Sequence, residues 1–140
     1  MSDLHELSTA EIIALIQADN AHIGRLTALF LGARGVDDAS WTDWLSDTSA
    51  LWKAIEEFVS TNRAQMYQVL CVDWQACEKR GTMTDEALSE ALKGILARYV
   101  GAWLADAGLV ILERLPITIL IGFLAVYLVR KGIESLCACP

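Results

Sequence analysis

The sequence predicts an all-α protein, and three observations lead to this prediction. Apolar residues recur at helical spacings of three and four along most of the 140 residues, whereas alternating apolar and polar runs are nearly absent. Capping and stop residues lie where helices would begin and end. Residues 115–129 form a run of fifteen uncharged residues, which has to be hidden from water. We therefore expect a small helical head of about three helices and a long C-terminal helix that continues as a hydrophobic membrane anchor.

Two helices are predicted in the first part of the chain. Ser8 and Glu11 form a capping-box pattern, which predicts a first helix over roughly residues 9–31. A second apolar stripe covers residues 49–80 without Gly or Pro, and this predicts one uninterrupted helix of 32 residues.

The third predicted helix begins after Thr84, a good N-cap that is followed by two acidic residues. Pro116 then removes a backbone donor, so the helix either kinks there or stops and restarts. Two arrangements follow for the C-terminal third. Either a kinked rod runs from the head into the anchor, or residues 99–112 and 116–130 fold back on each other as a hairpin.

Charge divides the chain into two predicted parts. Residues 1–100 hold eight Lys and Arg against fifteen Asp and Glu, a net charge of −7, whereas residues 101–140 hold three of each. The first part is interpreted as an acidic helical head, and the second as a hydrophobic anchor or packing segment with a short tail. An acidic head repels phosphate backbones, so no nucleic-acid partner is expected.

The predicted membrane segment indicates a lipid bilayer as the first expected partner. Its anchor residues are Leu115, Pro116, Ile119, Leu120, Phe123, Leu124, Tyr127 and Leu128. Three charged groups beside it, Asp106, Glu113 and Arg114, are candidate intramembrane or interfacial charges, or remain in water if the bilayer begins at Leu115. The first residues carry no basic region of a secretory signal, so the predicted location is a membrane with the head in the cytoplasm.

A glycine stripe is the second predicted contact surface. Gly94, Gly101, Gly108 and Gly122 recur at multiples of seven residues, and each glycine inside a helix costs about 0.8–1 kcal/mol relative to alanine. Close helix packing would offset this cost. The stripe therefore predicts either assembly with copies of the chain or other membrane helices, or seating of the head's own helices.

Other side chains support weaker predictions. Trp41 and Trp44 in an acidic connection are candidate docking aromatics, with core packing as the alternative. Cys71 and Cys77 are six residues apart on the predicted second helix and hence on different faces, which favours reduced thiols and a reducing compartment. The role of Cys137 and Cys139 stays open.

No chemistry-bearing motif is present. The two histidines, His5 and His22, have no partner at metal-ligand spacing, and no phosphate loop or nucleophile motif occurs. We therefore expect no enzymatic activity, no metal, no cofactor and no evident small-molecule substrate.

Three functions fit these observations. The first is a non-enzymatic, membrane-anchored accessory or scaffold subunit that assembles with its own copies or with partner membrane helices. The second is an oligomeric effector that perturbs or perforates the bilayer, with the three charged groups lining the opening. The third is a soluble helical-bundle structural subunit of a larger assembly that uses residues 115–129 as a buried interface.

Overall fold

The computed structural model describes residues 7–19, 21–33, 48–107 and 117–139, and every regular element within these ranges is helical. This confirms the all-α prediction. The elements are α1 (Thr9–Gln17), α2 (Ile23–Ala33), α3 (Thr48–Thr61), α4 (Arg63–Met66), the π-helical segment π1 (Tyr67–Asp73), α5 (Ala76–Thr82), α6 (Asp85–Ala107), α7 (Ile117–Tyr127), the π-helical segment π2 (Leu128–Gly132) and α8 (Ile133–Cys137).

The predicted start of the first helix is confirmed, but its predicted length is wrong. The Ser8 hydroxyl accepts a hydrogen bond from the Glu11 amide at 3.1 Å, and the Glu11 carboxylate accepts one from the Ser8 amide at 2.9 Å. The chain then turns after Gln17. Asp19 Oδ1 accepts the backbone N–H groups of Ala21 and His22, at 3.0 and 2.9 Å, and so begins α2.

The predicted rod over 49–80 is also wrong, because the chain leaves the α-helix twice. At Asn62, which is buried, the side-chain amide donates to the Phe58 carbonyl at 3.0 Å and ends α3. Farther on, π1 leads into Gln75, whose φ of 58° is left-handed. The predicted start at Thr84 is confirmed, since its hydroxyl accepts the Ala87 N–H at 3.1 Å.

Helix α7 lies at the centre of the bundle. Every side chain from Ile119 to Val129 is buried, and α1, α3 and α6 pack around the helix. The Trp52 ring of α3 meets the Phe123 ring edge to face, with centroids 5.5 Å apart. Because α7 packs against α6, these helices fold back on each other as the hairpin arrangement requires.

The structure gives no support to the predicted membrane anchor. Its described residues, Ile119, Leu120, Phe123, Leu124, Tyr127 and Leu128, are covered by the chain's own helices. Within the described ranges, no helix combines the length and apolar composition needed to cross a membrane. Helix α7 has 11 residues, and apolar helices of roughly 10–14 residues are more often core helices than membrane spans. Leu115 and Pro116 lie outside the described residues.

Candidate functional site

The side of α6 that faces away from the core is lined by small residues and flanked by charges. We call it the outer face of α6, and it comprises Ala87, Glu90, Gly94, Ala97, Arg98 and Gly101, all exposed. A Cβ added at Gly94 would meet no atom within 4 Å, and one at Gly101 would meet only Ile117 Cδ1, at 4.0 Å. The helix therefore bears the free-energy cost of these two glycines without close packing against the other residues that the structure describes.

Apolar and charged groups border this outer face. Tyr99 is 39 % exposed and stacks on Trp103 with ring centroids 5.4 Å apart. Ile117, at the start of α7, is 44 % exposed. Glu90 accepts a hydrogen bond from the Thr9 hydroxyl and pairs with Lys93 at 3.5 Å. Apolar contact area and opposite charges thus lie together on one surface.

Gly122 has a different role from the other glycines of the predicted stripe. It is buried in α7, and an added Cβ would lie 2.8 Å from Leu7 Cδ1 and 3.1 Å from Leu7 Cβ. The N-terminal segment therefore crosses the central helix at this glycine, as internal seating predicts. Gly108 lies outside the described residues, and an interface at Gly94 and Gly101 stays a prediction.

Two disulfide bonds close the C-terminal end of the bundle. Cys71 of π1 is bonded to Cys137, and Cys77 of α5 is bonded to Cys139, each with a Cα–Cα distance of 5.4 Å. The prediction of reduced thiols is therefore wrong. It assumed one continuous helix through both cysteines, whereas π1 and the left-handed residue Gln75 redirect the chain between them.

Arginine side chains fix the same end of the bundle. One nitrogen of the Arg130 guanidinium donates to the carbonyls of Leu15, Ile16 and Ala18, and so caps the C-terminus of α1. Arg63 donates to the Ser135 carbonyl at 3.2 Å. The sequence around Arg130 does not predict this capping role, because the carbonyls that it caps lie more than 110 residues earlier in the chain.

Among the residues that the structure describes, two side chains have displaced pKa values, each with a local cause. The hydrogen bonds from the His22 ring and amide lower the pKa of Asp19 below its usual 3.8. Burial raises the pKa of the Tyr127 phenol above 10.0; the negative charge of Glu56 adds to this effect and Arg63 opposes it.

The remaining predicted site residues cannot be placed. Trp41, Trp44, Gly108, Glu113 and Arg114 lie outside the described residues, as does His5, and of Asp106 only the helical backbone is described. Within the described ranges, no three His, Cys, Asp or Glu side chains are grouped as metal ligands would be.

Comparisons with known protein families, with curated proteins and with solved structures found no match to this chain.

Proposed function

We propose that this chain is a non-enzymatic helical accessory or scaffold subunit that pairs with a second copy of itself through the outer face of α6. The observation that carries this proposal is the pair of exposed glycines, Gly94 and Gly101, on a 23-residue helix. Two glycines cost this helix roughly 2 kcal/mol relative to alanine. A second helix that approaches closely at the same face would offset the cost.

The order of residues on the outer face favours an antiparallel pair. With a twofold axis through Gly94, Arg98 of one copy and Glu90 of the other lie at the same level, because each is four residues from Gly94. Gly101 likewise meets Ala87. A parallel pair would instead place like charges at the same level, which is unfavourable.

The assembly surface proposed here differs from the predicted anchor. Residues Ile119–Val129 already pack inside the bundle, so using them as an anchor or an interface would require the core to open. The two disulfides further favour an oxidising compartment as the place of action, instead of the cytoplasm.

A glycine substitution with a matched control tests the pairing. Gly94→Leu fills the outer face, whereas Gly81→Leu makes the same change at an exposed glycine of α5 where an added Cβ also meets nothing within 4 Å. Both changes should raise the free energy of unfolding, because leucine favours helix by nearly 1 kcal/mol over glycine. Only Gly94→Leu should weaken dimerisation, measured by sedimentation equilibrium of the oxidised protein.

A charge reversal then tests the antiparallel orientation. Arg98→Glu should weaken the dimer, because the new carboxylate faces Glu90 of the second copy, and adding Glu90→Lys should restore it. A monomeric wild type refutes the proposal, and so does equal dimerisation of the Gly94→Leu and Gly81→Leu variants. Recovery of the wild type only in membranes that resist alkaline carbonate would instead favour the anchored subunit or the pore.

A further inference from the structure

A polar cleft lies where α1, α5, α6 and π2 meet. It has a volume of about 600 Å³, within the range of roughly 300–1,000 Å³ typical of small-molecule sites. Its lining residues are Ile16, Arg80, Asp85, Leu88, Val129, Arg130 and Lys131. The cleft is separate from the outer face of α6, so a ligand there would be a second activity of this chain.

The charge of the cleft is opposite to that of the whole chain. Arg80, Arg130 and Lys131 are three of only eleven basic residues in a chain of net charge −7. Among the described residues of the lining Asp85 is the one acidic group, and Glu134 lies just outside it, so three basic groups face two acidic ones and leave a net charge of +1. Glu134 pairs with Arg80 at 3.3 Å from outside the lining and competes for that guanidinium.

The fold holds these cations in place. Arg130 is fixed by the α1 carbonyls, and the Lys131 ammonium lies 5.7 Å from the centroid of the Tyr127 ring. Both belong to π2, and such π-helical turns occur frequently at functional sites. The Cys77–Cys139 disulfide ties α5, which carries Arg80, to the chain that follows π2.

These features define the chemistry of a ligand. The basic excess of the cleft attracts an anionic group, and a phosphomonoester carries about −1.5 to −2 at pH 7. Such a group would take the place of Glu134 at Arg80 and then face three basic groups and Asp85. Arginine and lysine together suit phosphate oxygens, because arginine donates two parallel hydrogen bonds and lysine supplies a compact positive charge. Ile16, Leu88 and Val129 form an apolar wall against which the uncharged part of the ligand can pack. We propose that this cleft binds a small organic molecule that carries a phosphomonoester group.

Three probes separate the parts of this proposal. Phenyl phosphate supplies both the dianion and an apolar body, inorganic phosphate supplies the headgroup alone, and phenyl sulfate supplies the same body with one charge fewer. Calorimetric titration of the oxidised protein at pH 7.5 should give saturable binding of phenyl phosphate, about tenfold tighter than the other two probes. Lowering the pH through about 6 should weaken the binding of phenyl phosphate more than the binding of phenyl sulfate, because only the phosphate gains a proton in this pH range.

Four variants locate the site. Lys131→Gln and Arg80→Gln should each lower the affinity for phenyl phosphate about tenfold. Glu134→Gln should raise this affinity, because it removes the carboxylate that pairs with Arg80. Lys53→Gln removes the same charge from an exposed position on α3 outside the lining and should change nothing. Circular dichroism checks that each variant is folded.

Two results would overturn the proposal. One is the absence of saturable binding of phenyl phosphate in the millimolar range. The other is a loss of affinity in Lys53→Gln equal to the loss in Lys131→Gln, because this would indicate attraction to overall charge.

Discussion

Gly122 is the residue at which the N-terminal segment crosses the central helix. We expect Gly122→Ala to lower the free energy of unfolding by about 1–3 kcal/mol, because the new methyl group would meet Leu7 Cδ1 at 2.8 Å. Urea denaturation measures this change. Gly94→Ala is the matched control and should raise the free energy of unfolding by up to about 1 kcal/mol, since its Cβ meets open space.

A double-mutant cycle shows whether the effect at Gly122 comes from this contact. Leu7→Ala alone should destabilise the fold by about 2–5 kcal/mol, because the leucine is fully buried. In that background Gly122→Ala should become neutral or stabilising. An unchanged penalty would show that Leu7 is not the neighbour that requires glycine at this position.

At the scale of single residues, the burial of these glycines could not be predicted from the sequence. Spacings of multiples of seven place Gly94, Gly101 and Gly122 in one predicted stripe, but Gly94 and Gly101 lie in α6 and Gly122 lies in α7, which packs against α6. Two of these glycines are therefore exposed while the third is buried. The spacing of residues shows which of them share a face of one helix, but it does not predict which other helix packs against that face.

At the scale of elements, helix starts could be predicted and helix interruptions could not. Ser8 and Thr84 act on amides within three residues, so the local sequence contains the whole interaction. Asn62 lies within a good helical pattern, and its side chain bonds to a carbonyl one turn earlier. Packing against the rest of the bundle then determines where the helix is interrupted, and the local sequence pattern does not predict this packing.

The disulfides couple π1 to the last residue of α8 and α5 to Cys139, which follows α8. The free energy that each bond contributes should depend on the order in which the two are removed. In the chain-entropy account, one cross-link across 66 residues stabilises the fold by about 4 kcal/mol, while the second closes only a small ring and adds about 2–3 kcal/mol. Replacing Cys77 and Cys139 by serine should therefore lower the free energy of unfolding by about 2–3 kcal/mol.

Replacing the second pair as well completes this test. Adding serine at Cys71 and Cys137 should remove about 4 kcal/mol more, measured by urea denaturation without reductant. Equal losses at both steps would contradict the chain-entropy account for this pair of bonds. Full stability after both steps would show that the bonds do not constrain the unfolded chain.

At the scale of the whole molecule, the bundle is organised around α7. Leu120→Ala should lower the free energy of unfolding by about 2–5 kcal/mol, because this side chain is fully buried. Ile117→Ala removes a similar apolar group from the same helix where it is 44 % exposed, and should change stability by less than about 1 kcal/mol. Equal effects would contradict the central position of α7.

The class of this fold could be predicted from sequence, but the surroundings of its central helix could not. Residues 117–129 are apolar on all sides, and such a helix suits either lipid or the interior of a protein. What distinguishes the two is whether other helices offer matching apolar faces. In this chain α1, α3 and α6 do so, and α1 and α3 come from parts of the sequence far from α7.

The central helix is also made late during synthesis. Helix α1 ends at Gln17 and α7 ends at Tyr127, so at about 5–20 residues per second the first helix leaves the ribosome roughly 5 to 20 s before the helix on which it packs. Until α7 is made, α1, α3 and α6 lack the helix on which their inner faces pack. We therefore expect the nascent chain to expose apolar helix faces that chaperones bind, and we expect its aggregation to depend on translation speed as well as on the stability of the finished bundle.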